Sequence, residues 1–360
     1  MPSYKPIKRI KDKEESTRIA DRLLALRTQL DRDIPGKTAT ETLLLATWNI
    51  RDFGDNRRME SLHFMAEIIS RFDLIAIQEV NKDLGGLEKL MSLLEPSWDY
   101  IVTDSTEGTA GGSERMAFVF DKNKVVFKNM AGEIVLPEKV KKGEEMVPKD
   151  LQFARTPFCV AFQAGWFRFN IATVHIFFGE ATDKQIEPRR LEEIKKAVAF
   201  LAKRAKSEDI SYILLGDFNI PNCKTDYMSA LESNKFFVPD TIKQHPSNLG
   251  KSKHYDQIAF NIKLESKMEL FDKKNQKAGA FDFSESVYRP EDLNAYRQFF
   301  PQTAFIKTDS KTKQTRDKTE KEIMTYYQGT YLTHEMSDHL PLWVELKIDF
   351  SNQYLEKLKG

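Results

Sequence analysis

The sequence predicts an α/β fold in which two β-sheets pack face to face and helices cover their outer sides. Three observations point there. Strand-like segments outnumber helical ones, and several follow one another with room only for a turn. One of them, residues 73–80, is a near-continuous apolar run of the kind covered on both faces. Of the 360 residues, 41% are hydrophobic and 30% charged, a globular balance that excludes disordered, collagen-like and coiled-coil chains.

The elements follow in order. Residues 13–32 read as a helix, because Ile19, Leu23, Leu26 and Leu30 recur at helical spacing. Ile34-Pro35-Gly36 ends it. Residues 1–36 are therefore expected to be an N-terminal helical extension on a main domain at 37–350, with a tail at 351–360. Strands are expected at 43–49, 73–80, 115–120, 158–163, 167–175, 212–215, 257–262 and 340–348. Helices are expected at 59–71, 87–94 and 188–206, the last with Leu191, Ile194, Val198 and Leu201 on one face. Three charged segments, 139–150, 267–277 and 308–321, read as solvated loops. No internal repeat is found.

Composition narrows the function. No apolar run approaches the roughly 20 residues of a spanning helix. Met1-Pro2-Ser3-Tyr4-Lys5 opens into a charged stretch without the apolar core of a signal peptide. With 55 basic and 54 acidic residues the formal charge is +1, so any polyanion binding is local rather than a property of the whole surface. Cys159, in an apolar run, and Cys223, in a loop, read as reduced thiols of a cytoplasmic protein. No obligate protein partner is inferred.

The chemistry is expected where apolar strands stop. Leu45-Ala46-Thr47-Trp48 ends at Asn49, and Leu74-Ile75-Ala76-Ile77 at Gln78-Glu79. Ile171-Ala172-Thr173-Val174 ends at His175. Tyr212 to Gly216 ends at Asp217-Phe218-Asn219. His254-Tyr255-Asp256 and Ser337-Asp338-His339 each introduce a strand. A lone strand-terminal Asp or Asn is more often a turn former than a ligand. Six such ends in one chain are what a rigid scaffold needs to converge polar groups on one point. Oxygen ligands with few cysteines and histidines favour a hard cation, Mg²⁺, Mn²⁺ or Ca²⁺, over zinc. Two histidines among carboxylates suit acid–base work and phosphate contacts.

At these residues the chain resembles the endonuclease/exonuclease/phosphatase superfamily, and within it the deoxyribonuclease I branch. The matching stretches are Trp48-Asn49-Ile50-Arg51-Asp52-Phe53-Gly54, Ile77-Gln78-Glu79-Val80, Glu114-Arg115, Ala154-Arg155-Thr156-Pro157, Thr173-Val174-His175, Gly216-Asp217-Phe218-Asn219, Tyr255-Asp256-Gln257-Ile258, Phe281-Asp282-Phe283 and Ser337-Asp338-His339. Each is weak alone; the ordered set is specific. The resemblance implies a four-layer α/β sandwich and a divalent-metal phosphodiesterase, with Mg²⁺ foremost. It implies Glu79 as principal metal ligand, with Asn49 and Asp338 close to the metal or its waters. His339 would be general base, oriented by Asp256. His175, paired with Glu114, would serve opposite as general acid or phosphate clamp. Asp217 and Asn219 would hold nucleophile and phosphate, and Arg155 would contact a phosphate.

Departures from the branch bear on substrate. Arg51 stands where the AP-endonuclease branch carries an acid. Asn81 and Gly112 stand where deoxyribonuclease I relatives carry the Arg and Tyr that read the minor groove. The Gly108-Thr109-Ala110-Gly111-Gly112 loop is small instead, and the loop disulfide of that branch is not reproduced. The expected activity is a DNA endonuclease with nucleic acid as partner. RNA, a lipid headgroup or another small phosphodiester is the alternative, and a catalytically inactive binding module is the remaining one.

Overall fold

The computed structural model describes residues 2–105, 114–136, 153–179, 186–263, 270 and 276–359. The glycine loop at 108–112, with Gly112, and the segment 139–150 lie outside these residues, as does most of 267–277.

One sheet has six strands. They are β1 (Thr42–Phe53), β2 (Leu74–Val80), β3 (Trp98–Val102), β4 (Arg115–Asp121), β10 (Ala278–Ala280) and β13 (Leu342–Lys347), in the order β10-β13-β1-β2-β4-β3. The other has five: β5 (Val125–Glu133), β6 (Phe158–Ala164), β7 (Phe167–His175), β8 (Ser211–Asp217) and β9 (Asp256–Asn261), in sequence order. Both are mixed. β1 runs parallel to β2 and β7 parallel to β8; the remaining neighbours within each are antiparallel.

The period of two along β1 explains the layering. Leu43 and Leu45 face inward, in one core with Leu74, Phe118 and Val344 of their own sheet and Phe162, Phe169 and Leu214 of the other. Leu44, Ala46 and Trp48 face outward, in a second core with Ile7 of α1 (Lys5–Lys8), Leu23 and Leu26 of α2 (Lys13–Asp33), Phe64, Met65 and Ile68 of α3 (Met59–Ile69), and Leu87 and Leu90 of α4 (Gly85–Leu93). Asp12 caps α2 by accepting from the amides of Glu14 and Glu15. Beyond the five-stranded sheet, α5 (Ile186–Glu208) packs Ile194, Val198 and Leu201 into the first core. Helix, sheet, sheet, helix make four layers. No helix among the described residues is long and apolar enough to cross a membrane.

Several expectations need correction. β1 continues past Asn49 to Phe53, with its register on β2 interrupted between those residues. The segment 308–321 is not one loop. β11 (Ile306–Thr308) and β12 (Thr315–Asp317) pair as a hairpin, and a helix begins at Glu320. Asp309 Oδ1 accepts the amides of Lys311 and Thr312, which closes the turn. Glu322 binds Lys307 and Arg316 across it. Thr319 and Glu322 form a capping box. Residues 351–358 of the tail form a helix. Both cysteines are free thiols.

Candidate active site

The polar strand ends meet at one end of the cleft between the sheets. In the five-stranded sheet the register does this directly. His175 pairs with Asp217 across β7 and β8, and Asp217 with Asp256 across β8 and β9. Gly216 makes the arrangement feasible. Its φ is +131°, and a Cβ there would lie 2.1 Å from the Val174 carbonyl oxygen, so no side chain fits.

The six-stranded sheet supplies Asn49 and Glu79. Both β1 and β2 are irregular at this level, and such bulges re-aim side chains. Glu79 is left-handed, with φ 60°; an L-residue outside Gly, Asn and Asp is strained there by about 1–2 kcal/mol. The twist brings Glu79 Oε2 onto the Asp52 amide at 3.0 Å and Oε1 onto Asn49 Nδ2 at 2.8 Å. Asn49 Nδ2 also donates to Asp217 Oδ2 at 3.1 Å, bridging the two sheets. Behind it, Gln78 Nε2 donates to Thr47 Oγ1 and Thr173 Oγ1 across the same gap.

Asp217 is the centre. Its Oδ2 lies 3.6 Å from His175 Nε2 and 3.8 Å from His339 Nε2. Its Oδ1 accepts the Asn219 amide at 2.8 Å. Asn219, also left-handed at φ 54°, donates Nδ2 to the Ile176 carbonyl. Each histidine carries a carboxylate on its far nitrogen. His339 Nδ1 is 2.7 Å from Asp256 Oδ2, and His175 Nδ1 is 3.1 Å from Glu114 Oε2. Arg155 grips Glu114 with two bonds, Nε at 2.7 Å and Nη2 at 3.1 Å. Asp338 stands apart: it is exposed, its carbonyl accepts the Leu249 amide, and its carboxylate acts on His339 through charge.

The ionisation states follow from this crowding. Burial alone would raise Glu114, but the bonds from His175 and Arg155 outweigh it and hold the carboxyl at about 2. Burial alone would lower His339. Asp256, Asp217 and Asp338 overcome that and lift it to about 10. Burial is the largest effect on Asp256 and raises it, against the pull of His339. His175 is raised too, because Glu114, Asp217 and Glu79 outweigh its burial. The site thus carries an excess of negative charge.

Two features were not legible from motifs. Ser337 Oγ donates to the Asn49 carbonyl and accepts the His339 amide. Trp48 Nε1 donates to the His339 carbonyl at 2.9 Å. Together they tie the His339 loop to β1. Tyr255, which precedes Asp256, lies with its ring 5.5 Å from that of His339.

The donor set fits a divalent cation. Asn49 Oδ1 is buried and without a hydrogen-bond partner, which a buried oxygen rarely is unless something else meets it. Glu79 stands beside it, and the surplus negative charge needs an opposing one. Asp217, Asp256 and His339 also place ligand atoms within 4.8 Å of one another.

The sequence matches no protein-family model and none of the curated proteins. Solved structures do match. An endonuclease/exonuclease/phosphatase family protein of Bacteroides thetaiotaomicron has a TM-score of 0.50 at 16% identity, over 86% of this chain and 99% of that one. The endonuclease/exonuclease/phosphatase of Bacteroides vulgatus has a TM-score of 0.50 at 14% identity, over 87% and 100%. The human Nocturnin catalytic domain with bound sulfate reaches 0.49 at 14% identity, over 85% and 94%. Identities this low speak to fold. With the layers and sheet order described above, this chain has the four-layer α/β sandwich of the endonuclease/exonuclease/phosphatase superfamily.

Proposed function

We propose that the protein is a divalent-metal-dependent phosphodiesterase that hydrolyses nucleic acid, as a DNA endonuclease. The observation that carries this reading is Asp217, set between the Nε2 atoms of two histidines that each have a carboxylate on the far nitrogen. A phosphodiester needs one group to take a proton from water and another to serve the leaving oxygen, on opposite sides of the phosphorus.

Each residue then has a part. His339 accepts the proton of the attacking water, with Asp256 fixing its tautomer and stabilising the imidazolium. His175, backed by Glu114, protonates the leaving oxygen or clamps the phosphate. Asp217 and Asn219 hold water and phosphate in line. Arg155 adds positive charge near the phosphate through the arm that Glu114 fixes. Glu79 and Asn49 would hold Mg²⁺, or Mn²⁺ or Ca²⁺ in its place, and Asp338, which stands apart from them, would add its charge. A bound cation would supply positive charge that offsets the phosphate as the transition state forms and that opposes the carboxylates holding His339 at about 10, where the imidazole is protonated at neutral pH.

The test is a substrate panel with Mg²⁺, Mn²⁺ and Ca²⁺ in turn: supercoiled plasmid, single-stranded DNA, RNA, and generic phosphodiesters and phosphomonoesters. Nicking of the plasmid by wild type and not by His339→Ala supports the reading. Turnover confined to phosphomonoesters overturns it.

A further inference from the structure

Phe178 follows His175 by three residues and is 53% exposed. Exposure of one apolar side chain is ordinary; the way this turn is fixed is not. Arg190 of α5, only 8% exposed, donates Nε to the Phe177 carbonyl at 3.2 Å, Nη2 to the Phe178 carbonyl at 2.6 Å and Nη1 to the Asn219 carbonyl at 3.1 Å. Glu193, on the same helix, accepts the Phe177 amide at 3.2 Å and the Ala154 amide, next to Arg155, at 3.1 Å. The backbone of the turn is therefore held from both residues while the Phe178 ring stays in solvent, with the Arg190 guanidinium 5.3 Å from its centroid.

The same guanidinium places that ring at the site. Its Nη1 bond goes to the carbonyl of Asn219, whose own amide donates to Asp217 Oδ1 at 2.8 Å. Three residues of extended chain span at most about 10 Å, which keeps Phe178 near His175 as well. An aromatic face with a fixed base, beside groups suited to a phosphodiester, matches the planar, apolar part of a nucleotide rather than its phosphate.

We propose that Phe178 is a stacking platform for one unpaired nucleobase flanking the scissile phosphate, held ready by Arg190. The inference rests on the phosphodiesterase reading and adds a substrate class to it. A paired base presents only its edge in a groove, so the platform favours single-stranded or frayed nucleic acid. Asn81, which has no charge to draw into a narrow minor groove, agrees with that preference.

A dinucleoside monophosphate has one scissile bond and two bases, so it isolates the effect. Two analogues, each lacking one base, complete the set. Stacking on an aromatic side chain is worth a loss of about 5- to 150-fold on truncation. With Mg²⁺, Phe178→Ala is expected to lower kcat/KM by that factor on the parent and by less than about twofold on the analogue without the stacked base. Phe178→Trp is expected to retain the parent rate. An equal loss on parent and both analogues, or no loss on any, overturns the platform. If wild type hydrolyses methyl p-nitrophenyl phosphate but none of the three, the platform fails and the phosphodiesterase reading stands. If it hydrolyses no phosphodiester, both fail.

Discussion

Glu114→Gln separates His175 from Arg155 with the least change in shape. In the native site the carboxylate accepts two bonds from Arg155 and stands 3.1 Å from His175 Nδ1, with its side chain only 18% exposed. Burial works against the charged form, yet the carboxyl falls from its ordinary 4.5 to about 2. At about 1.36 kcal/mol per pH unit, that fall corresponds to about 3 kcal/mol of folding stability at neutral pH. It is an upper bound for the substitution, since the amide keeps part of the hydrogen bonding. The folded pKa lies below the unfolded one, so the stabilisation is complete above about pH 4.5 and disappears as pH falls through about 2. About 1 kcal/mol of it remains at pH 3. Urea unfolding of wild type and variant at pH 7, 5 and 3 reads the difference directly. The gap is expected to narrow steadily below pH 4.5, and turnover at pH 7 to fall by about 10²-fold as the imidazole loses its orientation. A gap that is the same at pH 7 and pH 3, with turnover intact, would refute the coupling.

Other expectations concern the metal, the two histidines and the strand preference. Glu79→Gln should leave the fold in place by circular dichroism and remove most turnover, with a higher Mg²⁺ concentration needed for what remains; an unchanged Mg²⁺ titration would exclude Glu79 as a ligand. His175→Ala and His339→Ala should each lower kcat by about 10²–10⁴, and the double variant should lose less than the product of the two, since each acts on the same step. Asp256→Asn should be severe but milder than His339→Ala. Cleavage of an A-tract duplex, a mixed duplex and a single strand of equal length should show little dependence on minor-groove width; duplex-only cleavage that tracks groove width would count against the role assigned to Asn81.

What the sequence made visible, and what it hid, follows from burial. The eight expected strands were apolar because their residues lie in a core, and each is present. β5 was not foreseen: apart from Val125 its side chains are half-buried or exposed, with Lys128 and Asn129 among them, so it carries no alternation to detect. β3 is an edge strand and β10 has three residues, too few for a period. The cover between 283 and 335 is built of short 3-10, α and π turns around Tyr288, Tyr296, Tyr327 and Tyr331, a pattern that neither period describes. In the site, the candidate residues were legible because strands of packed sheets stop at polar groups. Their bonds were not. Glu114 and Arg155 are 41 positions apart, and nothing local says that one carboxylate serves both Arg155 and His175. The left-handed turn at Glu79 was equally hidden, since glutamate carries no signal for it.

The proposed activity requires a divalent cation acting with two histidine–carboxylate pairs on a phosphodiester. The direct measurement is nicking of supercoiled plasmid by wild type in Mg²⁺, then in excess chelator, then after Mg²⁺ is restored, with His339→Ala in parallel. The expected result is nicking that chelator abolishes and Mg²⁺ restores, and none above background from the variant. Full activity in excess chelator, or nicking by His339→Ala at the wild-type rate, would contradict it.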